Sequence, residues 1–138
     1  MAVNYTGRLI SITQGNRIGA HRDGTYGIFE NSAGTLGGAV TAQGTPDMTV
    51  AVAALMANHY VINDAFINTA FVAANATITA SDPSNPRIDL VVISDAGAVS
   101  VTAGTAAATP VPPAQTATQC ELAMVVVSAG ATSIAAGD

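Results

Sequence analysis

Arg87-Ile88-Asp89-Leu90-Val91-Val92-Ile93-Ser94 is the stretch of this chain whose reading decides the fold. Ile88, Leu90, Val91, Val92 and Ile93 put β-branched and aliphatic side chains at a density that favours extended backbone over helix. The unbroken run from Leu90 to Ile93 leaves no polar face, so this strand is expected to be buried on both sides. Side chains alternate along a strand, which places Arg87 and Asp89 on one face, opposite Ile88. An Arg–carboxylate pair entering an apolar strand is a device for fixing register or docking a loop. We read it as structural and not catalytic.

Outward from this strand the pattern stays that of short strands and turns. Upstream, residues 76–80 form an alternating strand that ends in the polar turn of residues 81–86. Downstream, Asp95-Ala96-Gly97 turns the chain into a hairpin partner over residues 98–101. Residues 105–118 include Pro110, Pro112 and Pro113, which lack the N–H a central strand or helix requires. They are expected to run as an extended, polyproline-like crossover over the surface. A second strong strand follows over residues 121–127, and a short last one over 132–135.

Towards the amino terminus, Gly44-Thr45-Pro46-Asp47 is a turn before a strand at residues 48–55, and another strand is expected at 60–62 after Asn58-His59. Residues 50–60 also fit a helix by their Ala, Leu and Met content, but Thr49, Val50, Val52, Val61 and Ile62 favour strand. Residues 65–74 fit either element. Residues 13–38 contain seven glycines, which excludes a long stable helix there. Asp23-Gly24 marks a hairpin turn, and residues 3–12 read as an opening strand or extended arm. The expectation is an all-β fold, a small β-sandwich or barrel (jelly-roll-like). It divides into a Gly-rich strand or arm region over residues 1–43 and a β-sandwich module over 44–138, with a Pro-rich crossover.

Composition narrows the function. The chain has no lysine and no tryptophan, 9% charged residues, 28 alanines and 16 threonines. Alanine buries little area, so each residue gains less from burial than in a core rich in Leu and Phe, and oligomerisation is one way to recover the difference. Few charges also leave surface that meets another protein without desolvating ions. With a net charge of −5 and four arginines, the chain is not expected to bind nucleic acid, whose phosphates need Lys and Arg. No signal peptide is read at residues 1–10, and the apolar stretches at 50–56 and 122–127 are too short to span a bilayer. A soluble, cytoplasmically made protein with no membrane partner is expected.

The residues offer little chemistry. His21, His59 and Cys120 show no metal-ligand spacing, and Cys120 reads as a lone buried thiol. There is no Gly-x-Ser-x-Gly elbow, and without lysine a Walker-type phosphate loop is excluded. Asp82 and Asp89 could pair as acid and base, and Asp82, Asn85 and Asp89 could bind calcium, but Asp is common in turns for backbone reasons. Asn4-Tyr5-Thr6 and Asn75-Ala76-Thr77 match the glycosylation pattern, which has no meaning without secretion. No catalytic residue, cofactor or metal is expected. Arg87, Asp89, Pro110, Pro112 and Pro113 are the structural candidates.

The string Pro83-Ser84-Asn85-Pro86-Arg87-Ile88-Asp89-Leu90-Val91-Val92 resembles a motif of tailed-bacteriophage structural proteins. In that motif a Pro-Arg-Ile-Asp strand precedes a Gly-Thr and Pro-rich crossover, a Leu-Ala-x-Val-Val strand and an Ala-Thr-Ser-Ile-like end. This chain has the pieces in order: Gly104-Thr105, Pro110-Val111-Pro112-Pro113, Leu122-Ala123-Met124-Val125-Val126-Val127 and Ala131-Thr132-Ser133-Ile134. Gly44-Thr45-Pro46-Asp47-Met48-Thr49-Val50 resembles the opening strand of those modules, so the likeness covers residues 44–138.

The resemblance implies a virion β module, usually trimeric, of the kind found in capsid decoration (cement) proteins, baseplates and tail-fibre or tailspike anchors. The larger tail proteins commonly continue into further domains, whereas this sequence stops at Asp138 after a Gly-rich amino-terminal region, which is read as favouring a decoration protein. The expected partners are further copies of itself and the major capsid protein, on the outer surface of the head. A tail or baseplate protein and a role in host attachment are the alternative.

Overall fold

The computed structural model describes residues 2–5, 8–11, 18–21, 27–29, 37–57 and 60–135. Its elements are β1 (Ala2–Tyr5), β2 (Arg8–Ser11), β3 (Ile18–His21), β4 (Gly27–Phe29), β5 (Val40–Ala42), β6 (Thr49–Val52), β7 (Tyr60–Ile62), β8 (Ala65–Phe66), β9 (Ala74–Thr77), β10 (Arg87–Ser94), β11 (Val99–Thr102) and β12 (Gln119–Val127). Among the described residues there is no helix, and so none long and apolar enough to cross a membrane. Every pairing among the described strands is antiparallel. Among the described residues no sheet closes on itself, so the all-β expectation holds in an open form consistent with a small sandwich and not as a closed barrel.

β10 is the centre of a three-stranded sheet, flanked by β11 and β12. It runs as expected from Arg87 to Ser94, and Asp89 through Ile93 are all buried. The turn into β11 closes through Gly97, whose φ of 73° is open to glycine and strained for other residues. Along β12 the register slips opposite Val91 and Val92, leaving Leu122 unpaired as a bulge. This extra residue switches the inward parity, so Cys120 on one side of it and Val125 and Val127 on the other all reach the same core.

β5, β6 and β9 form a second three-stranded sheet. Val50 and Val52 of β6, Ala76 of β9 and Ile78 share one apolar cluster with Val91, Ile93, Cys120, Val125 and Val127 of the first sheet. Leu90 and Val92 are fully buried yet lie outside that cluster, on the other face of β10. β11 and β12 flank β10, so the connection between them has to cross it, and the core already fills one face. That connection is the Pro-rich crossover, and Leu90 and Val92 lie on the face of β10 opposite the shared core. Burying each contributes roughly 1.5–3 kcal/mol. The crossover carries no regular structure and is tied near its ends, with Ala107 N–H donating to the Pro86 carbonyl at 3.0 Å and Asp95 N–H to the Thr118 carbonyl at 3.1 Å.

The remaining strands sharpen several expectations. Residues 3–12 were expected to be one strand or an arm, and instead β1 and β2 pair as two short strands. β3 pairs with β4, and β4 with β7, in a four-stranded sheet ending in β8. Part of the Gly-rich region is thus hydrogen-bonded to the rest of the chain, and β5 reaches β6 across residue 43. The Asp23-Gly24 turn and Asn58-His59 lie outside the described residues. Residues 65–74, open to helix or strand, hold β8 and then extended chain bridged at Phe71 to Leu55.

The strand expected at residues 132–135 is a correction: it is not a strand. After the turn at Gly130, with φ of 66°, this segment hydrogen-bonds to two turns instead of to a ladder. Ile134 N–H donates to the Asp47 carbonyl at 2.8 Å, and Ser81 Oγ–H to the Ala131 carbonyl at 2.8 Å. Ile134 is buried in the core all the same.

Candidate functional site

Arg87 and Asp89 share a face of β10, as strand geometry requires, and their side chains meet. Arg87 Nε donates to Asp89 Oδ1 at 2.8 Å, and Nη2 to Oδ2 at 3.1 Å, a two-point contact. The guanidinium also donates from Nη1 to the Ala80 carbonyl at 2.8 Å and from Nη2 to the Thr79 carbonyl. Asp89 Oδ1 accepts in addition from Gly104 N–H at 2.9 Å. The pair therefore ties together the chain leaving β9, the strand β10 and the start of the crossover. Asp89 is 0% exposed and Arg87 5%.

This arrangement fixes what the pair can do. Each guanidinium nitrogen has a partner, both carboxylate oxygens are engaged, and neither side chain presents a face to solvent. A general acid or base must reach its substrate's proton directly or through one water. Asp89 has no such path. Asp82, the other carboxylate weighed for calcium or acid–base work, closes its own turn: its Oδ1 accepts from Ser84 N–H and Asn85 N–H, both at 2.8 Å. Those two donors hold the Asp82 carboxyl below its ordinary value of 3.8. Among the described residues no group of three or more His, Cys, Asp and Glu stands together to hold a metal.

Gly104 is the residue the pair depends on. A Cβ there would lie 2.1 Å from the Ile88 carbonyl oxygen, so only glycine lets the crossover approach β10 this closely. Pro110, Pro112 and Pro113 are half-buried farther along the crossover, whereas Val111 is exposed. Gln115 returns the chain to β12 by accepting, through Oε1, the Glu121 N–H at 3.0 Å. Cys120 is buried in the core, and His59 lies outside the described residues.

The two ends of the recognised stretch also meet. Asp47 of the opening turn accepts from Thr49 N–H at 2.8 Å and Thr49 Oγ1–H at 2.6 Å through its carboxylate, while its carbonyl receives Ile134. No family model, curated protein or solved structure matches this chain. The reading of function therefore rests on the residues themselves.

Between β6 and β9 the expected strand at residues 60–62 is present as β7, but sequence reasoning missed the hairpin that joins it to β8. Tyr60 is fully buried, and its hydroxyl donates to the Thr69 carbonyl at 2.8 Å. Burial, then the charges of Asp95 and Cys120, push the Tyr60 hydroxyl above its ordinary value of 10.0. Asn63 and Asp64 take φ of 51° and 62°, the two positive values of a type I′ hairpin turn, and join β7 to β8. The signal was present: Asn-Asp between Val61-Ile62 and Ala65-Phe66 has the turn chemistry, lacking only the customary glycine.

Proposed function

We propose that this chain is a non-catalytic structural protein of a tailed-phage virion. In this reading it is a capsid decoration (cement) protein that binds the outside of the assembled head as a homotrimer. It would stabilise the shell by mass action, since it binds the assembled state alone. The observation that carries the reading is the use made of the recognised motif. Arg87, Asp89 and Gly104 join three segments of chain in a buried, saturated clamp, and the motif's opening turn holds its terminal segment. Residues used in this way build a scaffold, which supports a structural role for the motif.

A baseplate or tail-fibre anchoring component is the second reading, and one observation favours it. β3 and β4 belong to a sheet with β7, so that part of the amino-terminal region is committed within the chain and not free to reach a neighbouring capsomer. Electron cryomicroscopy of the virion separates the two. Many copies at symmetric positions on the head support the decoration reading, and a handful at the tail supports the second. Absence from the particle overturns both.

A further inference from the structure

We propose that the outward surface carrying Met56, Phe66 and Val72 is the one through which copies of this chain associate. The proposal rests on the homo-oligomer reading above and names its interface.

The excursion of residues 55–72 is apolar on both sides. Leu55, Tyr60, Ile62 and Phe71 point inward and belong to the core. Leu55 and Phe71 exchange both backbone hydrogen bonds, at 3.0 and 2.7 Å, as an antiparallel pair. Their neighbours Met56 and Val72 consequently share the opposite side as a diagonal pair, within reach of one another. Phe66 lies opposite Val61 in the β7–β8 hairpin, and alternation places both away from Tyr60 and Ile62. Met56, Phe66 and Val72 are 58%, 59% and 80% exposed.

Together these three side chains offer on the order of 300–400 Å² of apolar surface, the range of functional patches on monomers. That is about half of the ~800 Å² one partner contributes to a standard interface, so it suffices as the dry centre of a larger contact. The backbone beneath it is pinned by the Leu55–Phe71 pair, the Tyr60–Thr69 bond and the Ile67 N–H to Tyr60 carbonyl bond at 3.0 Å. A pinned surface loses little entropy on docking.

Charge selects the occupant. The chain carries −5 overall, so two copies repel except where both are nearly uncharged. From Met48 to Ser81 the only Asp, Glu, Lys or Arg is Asp64, at the hairpin tip. Apart from Asp64 at the hairpin tip, residues 55–72 can therefore meet another copy without pairing like charges. The other exposed apolar pair, Met124 and Val126 on β12, shares its strand with Glu121 and serves as the control.

The test uses the full chain. Light scattering and sedimentation give the oligomeric state of the wild type, of Phe66→Arg and Val72→Arg, and of Met124→Arg and Val126→Arg. Weakening of self-association by about tenfold or more in the first two variants only supports the proposal. Methionine oxidation of the wild type reads the same surface without a substitution, so it decides the matter even if a variant misfolds. On dilution through the dissociation range, Met56 should become several-fold more reactive while Met124 does not change. A wild-type oligomer with Met56 equally reactive throughout overturns this interface and leaves the homo-oligomer reading standing. A monomer at all concentrations overturns both.

Discussion

Removing one member of the Arg87–Asp89 pair leaves the other charged and buried, a situation that costs about 3–5 kcal/mol. Asp89→Ala is therefore expected to lower stability by that order in urea unfolding, with little change in the slope. Replacing both residues with apolar ones removes the stranded charge. It still leaves the Thr79 and Ala80 carbonyls and the Gly104 N–H without these partners, so Arg87→Met/Asp89→Leu should recover part of the loss and not all of it. Full recovery would show that the three backbone contacts contribute nothing. Asp82 gives a pH-dependent counterpart. Its folded value lies below 3.8, so its contribution is present above that pH and is lost as pH falls through the folded value. Asp82→Asn keeps an acceptor for Ser84 and Asn85 but does not titrate. Its unfolding free energy should thus fall less steeply than wild type below about pH 4, and identical slopes would exclude Asp82 from the acid limb.

The terminal segment shows how an element without regular structure can still be structural. Ile134 is 3% exposed within the shared core, although residues 131–135 form no strand. Ile134→Ala should cost about 2–4 kcal/mol, the range for a truncation in a close-packed interior. Thr132→Ala, at an exposed position beside it, should stay within about 0.5 kcal/mol. Comparable effects from the two would place Ile134 outside the core. The crossover makes the same point from the other direction: its prolines exclude it from any ladder, and that exclusion leaves it free to lie across β10.

The amino-terminal region tests how far the folded unit extends. Deleting residues 1–15 removes β1 and β2, which pair only with each other among the described strands. That deletion should leave a cooperative unfolding transition, and under the decoration reading it should weaken attachment to heads. Deleting residues 1–43 also removes β3, β4 and β5, taking hydrogen-bonded partners from β7 and β6. Circular dichroism and thermal melting should show a large loss of stability for the longer deletion. Equal stability of the two would mean that residues 44–138 fold independently of those strands.

The strands β10, β11 and β12 were legible in the sequence because local causes specify them. A run of β-branched residues, an Asp-Ala-Gly turn and a Pro-rich break each act within a few residues. The same-face placement of Arg87 and Asp89 was legible for that reason too, since strand periodicity alone imposes it. What the pair binds was not, because Thr79, Ala80 and Gly104 reach it only after distant segments pack. Local pattern likewise suggested a last strand at residues 132–135, and tertiary structure overruled it by offering two turns as hydrogen-bond partners. The partnership of β4 with β7 and the apolar outer side of residues 55–72 depend on which strands become neighbours. That choice is made by burial of a common core, a property of the whole chain that no window of sequence contains.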